Sequence, residues 1–175
     1  NINNVLAALA ICRAMGLPYE QLVEGIKTLK GLPHRCELIG VSGGVRFIND
    51  SKGTNVGATV AALEGLADGR NIILVAGGEG KGQVFAPLAK AASLHAKHAV
   101  LIGRDAVRIA EALDATTPCT FADSMEDAVR AATDIAASDD VVLLSPACAS
   151  LDMFADYRAR GEAFKAAVQD CEDVS

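Results

Sequence analysis

Three short polar segments in this chain carry residues whose types and spacing could do chemistry. Asn49-Asp50-Ser51-Lys52-Gly53-Thr54-Asn55 follows an apolar run and leads into a helical pattern. In such a place Asp50 could accept hydrogen bonds from sugar hydroxyls, and Lys52 could bring a point charge to a phosphate. Thr54 and Asn55 would stand at a helix N-terminus, where backbone N–H groups are free for an anion. The same residue types also make an ordinary capped turn. Gly77-Gly78-Glu79-Gly80-Lys81-Gly82 follows a second apolar run. It is not a Walker A loop, because Val75 stands where the first Gly is needed and Gly82 where Ser or Thr is needed. It is not a dinucleotide loop either, because Gln83 occupies the third Gly position. It reads as a flexible glycine loop presenting Lys81 to a carboxylate or phosphate, or as a tight turn with a solvated lysine.

The third segment is Ser145-Pro146-Ala147-Cys148-Ala149-Ser150-Leu151-Asp152. Its small residues would let backbone N–H groups and hydroxyls approach a ligand. Cys148 would need a partner base to act as a nucleophile. Of the three histidines, His95 and His98 flank the start of a different strand, at the far edge of the expected sheet, and His34 lies next to Arg35. Cys148 is therefore read as structural. Arg35 stands just past a Gly31-Leu32-Pro33 break, where a guanidinium could clamp a ligand shared between two domains.

The elements that must position these loops follow from periodicity. Asn3 to Ala14 is apolar nearly all round and predicts a buried helix. Leu17-Pro18 opens a second helix with Leu22, Ile26 and Leu29 on one stripe, closed by Gly31. Cys36 to Val41 and Val45 to Ile48 predict two strands joined by a glycine turn. Then strands are expected at 71–76, 99–102, 119–122 and 141–144, each apolar on both faces or short. Helices are expected at 56–66, 84–94, 104–113, 125–137 and from Asp156 to Val168, with a Ser124-Met125-Glu126-Asp127 capping box. Two-sided apolar strands alternating with helices predict an α/β fold: a doubly wound, mainly parallel, Rossmann-like sheet. Ligands then bind beyond the C-terminal strand ends, where all three polar segments fall. The organisation expected is residues 1–31 as the closing helices of an earlier domain and residues 32–175 as a separate α/β domain.

Composition narrows the classes. The 175 residues hold 16 Lys and Arg against 22 Asp and Glu, a net charge of −6, with 51% apolar residues and no Trp. An acidic chain lacks the basic footprint of nucleic-acid binding, so no nucleic-acid partner is expected. No apolar run suits membrane insertion and no leader is legible, so a cytoplasmic monomer is expected. The five cysteines are scattered and odd in number, which fits neither a zinc site nor a disulfide framework.

The loops together resemble the Mur ligases. Asn49 to Asn55 resembles the family's N-D-S-K-A-T-N motif, differing at Gly53. Leu144 to Asp152 resembles the L-S-P-A-C-A-S-x-D motif of its D-glutamate-adding members. Gly77 to Lys81 is similar to the G-G-x-x-K loop, Pro33-His34-Arg35 to the P-H-R segment, and Asn1 to Ala8 to a helix of the central domain. The D-N-P-R motif of the diaminopimelate-adding relatives is absent.

The resemblance implies an ATP-dependent ligase of peptidoglycan synthesis. It would activate the carboxylate of UDP-N-acetylmuramoyl-L-alanine as an acyl phosphate, which the amine of D-glutamate attacks. Carried over by position, Asn1 and Asn4 would contact adenine, Arg35 and Asp50 the ribose and phosphates, and Lys52 the transferred phosphate as the catalytic residue. Thr54, Lys81, Ser150, Leu151 and Tyr157 would bind D-glutamate, with Tyr157 standing where the family has Phe. ATP and Mg2+ would serve the full-length enzyme, with the metal ligands and the P-loop in N-terminal and central domains upstream. The expectation is an inactive C-terminal piece. The alternatives are a non-catalytic anion- or nucleotide-binding module and a ligase of the folylpolyglutamate synthetase type.

Overall fold

Apolar runs without alternation become interior strands because both of their faces are covered. Ile72–Gly77 (β3) and Val141–Leu144 (β6) are buried at every position. The computed structural model describes residues 2–28 and 31–172. Asn1 and Leu29, both singled out in the sequence, lie outside the described residues. The chain divides into two units, residues 1–31 and 32–175.

The first unit holds helices Ile2–Ala14 (α1) and Tyr19–Thr28 (α2). Both form where the pattern predicts. The expected burial of α1 does not follow: Leu6 is 57% and Ile11 62% exposed. A helix that is apolar all round needs cover on every side. Within its unit only α2 is at hand, and Val5, Leu9, Leu22 and Ile26 share one apolar hollow there.

The second unit begins with an antiparallel hairpin, Glu37–Ser42 (β1) and Val45–Asn49 (β2). Its two turn residues, Gly43 and Gly44, have φ of 56° and 81°. A two-residue hairpin turn of this kind needs positive φ at both places, which glycine adopts without penalty. Then come Val56–Leu66 (α3), β3, Ala86–His95 (α4), Ala96–Ile102 (β4), Ala106–Leu113 (α5), Cys119–Phe121 (β5), Met125–Ile135 (α6), β6 and Tyr157–Glu172 (α7). The sheet order is β1-β2-β6-β3-β4-β5, parallel throughout except for β1, which runs antiparallel to β2.

Side chains alternate across each strand, so two cores form. Ile72, Leu74 and Leu101 face Leu63, Leu88 and Ile109 of α3, α4 and α5. Val75, Val100 and Leu144 face Val129 and Phe164 of α6 and α7. The doubly wound expectation holds, and some boundaries move. Helix α4 starts at Ala86 rather than at 84, with a proline in its first turn, where no N–H is missed. Strand β4 starts at Ala96, directly after α4, and is an inner strand, so His98 does not lie at the sheet edge. Helix α5 starts after a turn at 103–105, and α7 runs past Val168 to Glu172.

Because β6 lies between β2 and β3, the C-terminal ends of these three strands are neighbours. The loops after them, near residues 50, 78 and 145, are delivered to one end of the sheet.

Candidate active site

The loop after β2 and the loop after β6 are joined by buried polar groups. Asp50 accepts a hydrogen bond from Ser145 Oγ at 2.7 Å and one from the Cys36 N–H at 3.3 Å. Its own N–H donates to the Leu144 carbonyl, and Ala147 N–H donates to the Gly53 carbonyl. Burial pushes the Asp50 carboxyl above its ordinary value, partly offset by the Ser145 and Cys36 hydrogen bonds. Asp50 is 7% exposed, so its carboxylate spends its hydrogen bonds on the loops rather than on an open surface. A Cβ at Gly53 would lie 2.5 Å from Asp50 Oδ2 and 2.7 Å from Ser145 Oγ. The departure from the Ala of the family motif thus leaves room for this pair to close against the backbone.

Arg160 reinforces the same junction, and nothing in the loop motifs announces it. Its guanidinium donates to Ser51 Oγ at 3.0 Å, to the Ser51 carbonyl at 2.9 Å and to the Cys148 carbonyl at 3.1 Å. Burial pulls its pKa down to about 10, which leaves it charged at neutral pH. The signal was in the sequence: Arg160 falls on the α7 stripe of Phe164 and Val168, and a cation on a buried stripe must have partners.

The glycine loop after β3 is not the flexible element its composition suggests. Gly77 and Gly78 have φ of 126° and 121°, and a Cβ on them would lie 1.9 Å from the Ile102 carbonyl oxygen and 2.2 Å from that of Ala149. The loop is glycine-rich because other backbones press against it. Glu79 and Ala149 exchange backbone hydrogen bonds, and Gly80 N–H donates to Asp105 at 2.6 Å. That bond, followed by the Arg108 contact, holds the Asp105 carboxyl below its usual range.

Gln83, also missed in the sequence, gathers three pieces. Its amide nitrogen donates to the Gly80 and Ala147 carbonyls, and its oxygen accepts from Val56 N–H at 3.0 Å. Asn55 accepts from Ala58 N–H. Two of the first N–H groups of α3 are therefore already taken, which corrects the reading of that helix end as free for an anion.

Against this frame the expected ligand residues separate. Lys52 is half-buried, and its Nζ stands 4.0 Å from the centre of the Tyr157 ring, so those two are brought together. Thr54 is half-buried and follows in the same loop. Lys81 is exposed and left-handed, with φ of 49°, an uncommon strain for a side-chain-bearing residue. Ser150 is buried and Leu151 beside it is exposed. Arg35 is exposed on the approach to Asp50. Asn4 is exposed on α1, in the other unit. Cys148 is fully buried and its thiol is pushed up to about 12 by burial, so it is no nucleophile. Among the described residues no group of three or more His, Cys, Asp or Glu side chains is arranged to hold a metal ion.

Residues 34–148 match the family described as Mur ligase, glutamate ligase domain. The chain belongs to the Mur ligase family. It is 52% identical over 170 residues to a protein of Nitrosospira multiformis named UDP-N-acetylmuramoylalanine–D-glutamate ligase, covering 97% of this chain and 36% of that one. The chain thus spans about a third of the length of such Mur ligase relatives. Its fold matches the UDP-N-acetylmuramate-alanine ligase MurC of Thermotoga maritima, with a TM-score of 0.70 at 16% identity over 98% of this chain and 38% of that one. A MurF ligase of the same organism, solved in complex with ADP, matches at a TM-score of 0.61 and 16% identity, over 96% of this chain and 38% of that one. Among the described residues no helix is long and apolar enough to cross a membrane.

Proposed function

We propose that this chain supplies the amino-acid-binding domain of an ATP-dependent ligase that joins D-glutamate to UDP-N-acetylmuramoyl-L-alanine in the cytoplasm. The observation that carries the reading is 52% identity over 97% of the chain to a ligase named for D-glutamate. The convergence of three motif loops at one sheet end supports it. In the reaction the substrate carboxylate attacks the γ-phosphate of ATP, giving an acyl phosphate and ADP. The amine of D-glutamate then adds to the acyl carbon, and inorganic phosphate leaves as the amide forms.

Each residue has work in that scheme. Lys52 stabilises the charge on the transferred phosphoryl group. Arg35 meets the nucleotide phosphates, while Asp50 acts by fixing the loop that carries Lys52. Asn1 and Asn4 belong to the adenine side, contributed by residues 1–31 as the last helices of an ATP-binding domain. Lys81, Thr54 and Ser150 recognise the two carboxylates of D-glutamate, with Leu151 and Tyr157 as its walls. The remaining chemistry, including Mg2+ binding, is assigned to segments that this chain does not contain and its longer relatives have room for.

The test is ligation by the full-length protein, with UDP-N-acetylmuramoyl-L-alanine, ATP and D-glutamate, read as amide product and phosphate release. Turnover that requires D-glutamate is expected, with none from the 175 residues alone. Equal turnover with L-glutamate, or turnover with a folate in place of the muramoyl nucleotide, would overturn the assignment. The absence of any ligation would favour a non-catalytic anion-binding module.

A further inference from the structure

We propose that Tyr157 is a positioning residue whose ring seats the Lys52 ammonium for reaction. The inference rests on the ligase reading above. Lysine has a long, freely rotating stem, so a catalytic ammonium has to be ordered before it can act. A carboxylate partner would order it but would also neutralise it. Lys52 has no such partner: among the described residues it forms no ion pair, and its Nζ sits 4.0 Å from the Tyr157 ring centre. An aromatic face attracts the cation and leaves the charge available to an incoming anion.

The ring is itself held. The His34 ring meets it edge-on, with centroids 5.9 Å apart and planes at 83°. His34 is buried, and its Nδ1 lies 3.0 Å from Asn49 Nδ2. The backbones are tied as well: Ser51 Oγ donates to the Tyr157 carbonyl at 2.7 Å, and Lys52 N–H donates to the His34 carbonyl at 3.0 Å. Lys52 is thus fixed at its root by hydrogen bonds and at its tip by the ring. Arg158 brings a second cation, its guanidinium, 4.8 Å from the same ring centre, with Asp156 as its own counter-ion. Tyrosine and phenylalanine offer the same face, so the family difference at this position preserves the function.

The experiment compares Tyr157→Leu and Tyr157→Phe in the full-length enzyme, each with Lys52 intact and with Lys52→Met. Tyr157→Leu is expected to lower kcat roughly tenfold, beyond whatever its lost contact with D-glutamate adds to KM, while Tyr157→Phe restores kcat to within about twofold. In the Lys52→Met background Tyr157→Leu should cost nothing further. A rise in KM alone, or the same loss in both backgrounds, would overturn the proposal. A second measurement needs no turnover. The Lys52 ε-methylene protons should be shifted upfield by the ring current and should return to the exposed-lysine position in Tyr157→Leu. If that shift is absent in the unmutated protein, the seating is wrong. If it is present but no D-glutamate ligation occurs, the ligase reading fails while the seating stands.

Discussion

Arg160 is 1% exposed and makes no ion pair among the described residues. Its charge is tolerated because three oxygens are aimed at it, from Ser51 and Cys148. Arg160→Met would strand the two carbonyls in a dry place, at about 1–3 kcal/mol for each unsatisfied group. We expect a loss of about 3 kcal/mol in urea unfolding, with Arg160→Lys falling between that variant and the original. Cys148 makes the opposite case of a group silenced by burial. A thiol pushed up to about 12 keeps its proton in the native state over a pH range in which the unfolded chain has lost it. The native state then binds more protons than the unfolded one, so through this group stability falls as pH rises from about 9 to about 12. At pH 8 iodoacetamide should leave Cys148 unmodified in the native protein and alkylate it in urea, as peptide mass mapping would show. That Lys52, Thr54, Lys81 and Ser150 fall in loops after strands was legible in the sequence, because each sits in a polar segment after an apolar run. Arg160 was legible only as a cation on the α7 stripe; its Ser51 partner, 109 residues away, was not. Gln83 carried no signal at all, since a glutamine after a glycine loop has no pattern to belong to.

Helix α3 occupies Val56–Leu66 as the pattern predicts, because Asn55 caps it and its small residues pack closely on the sheet. The Asn55 oxygen takes the Ala58 N–H at 3.0 Å. Asn55→Ala should cost about 1 kcal/mol by chemical denaturation, a typical value for a lost cap. Ser124 caps α6 as the pattern predicts, its Oγ accepting from Asp127 N–H, but the Asp127 carboxylate accepts from that Oγ rather than from the Ser124 N–H of a full capping box. The β3–α4 loop is where composition misled. Glycines suggested freedom, but Gly77 adopts a φ of 126° with the Ile102 carbonyl in the space a Cβ would fill. Gly77→Ala should therefore lower stability by about 3 kcal/mol or more, through strain and the forced separation of β3 from β4. If Gly77→Ala unfolds at the original urea midpoint, the close-packed reading of the loop is wrong. Element types were legible because buried parallel strands lack alternation and helices have it. Ends were less so, as with α4 and β4, where helix passes into strand without an intervening turn residue.

For the molecule as a whole, the proposed function has an acidic chain of net charge −6 binding anions. Three acids at the sheet end are occupied: Asp50 by Ser145, Asp105 by Gly80 and Arg108, and Glu79 by Arg104. Lys52 and Lys81 form no ion pair among the described residues, which suits the anion-binding roles proposed for them. The three-layered fold and the placing of all three loops at one end followed from periodicity and from loops that follow parallel strands sharing the C-terminal sheet end. The burial of α1 did not, because apolar pattern reports a need for cover and not what provides it. The most direct test is the KM for D-glutamate in the full-length ligase with and without Lys81→Ala. Loss of a charged contact to a substrate carboxylate predicts a KM raised roughly tenfold or more, with D-glutamate still preferred over L-glutamate. A KM that does not change on removing Lys81, or equal use of the two enantiomers, would contradict the assignment of this sheet end to D-glutamate.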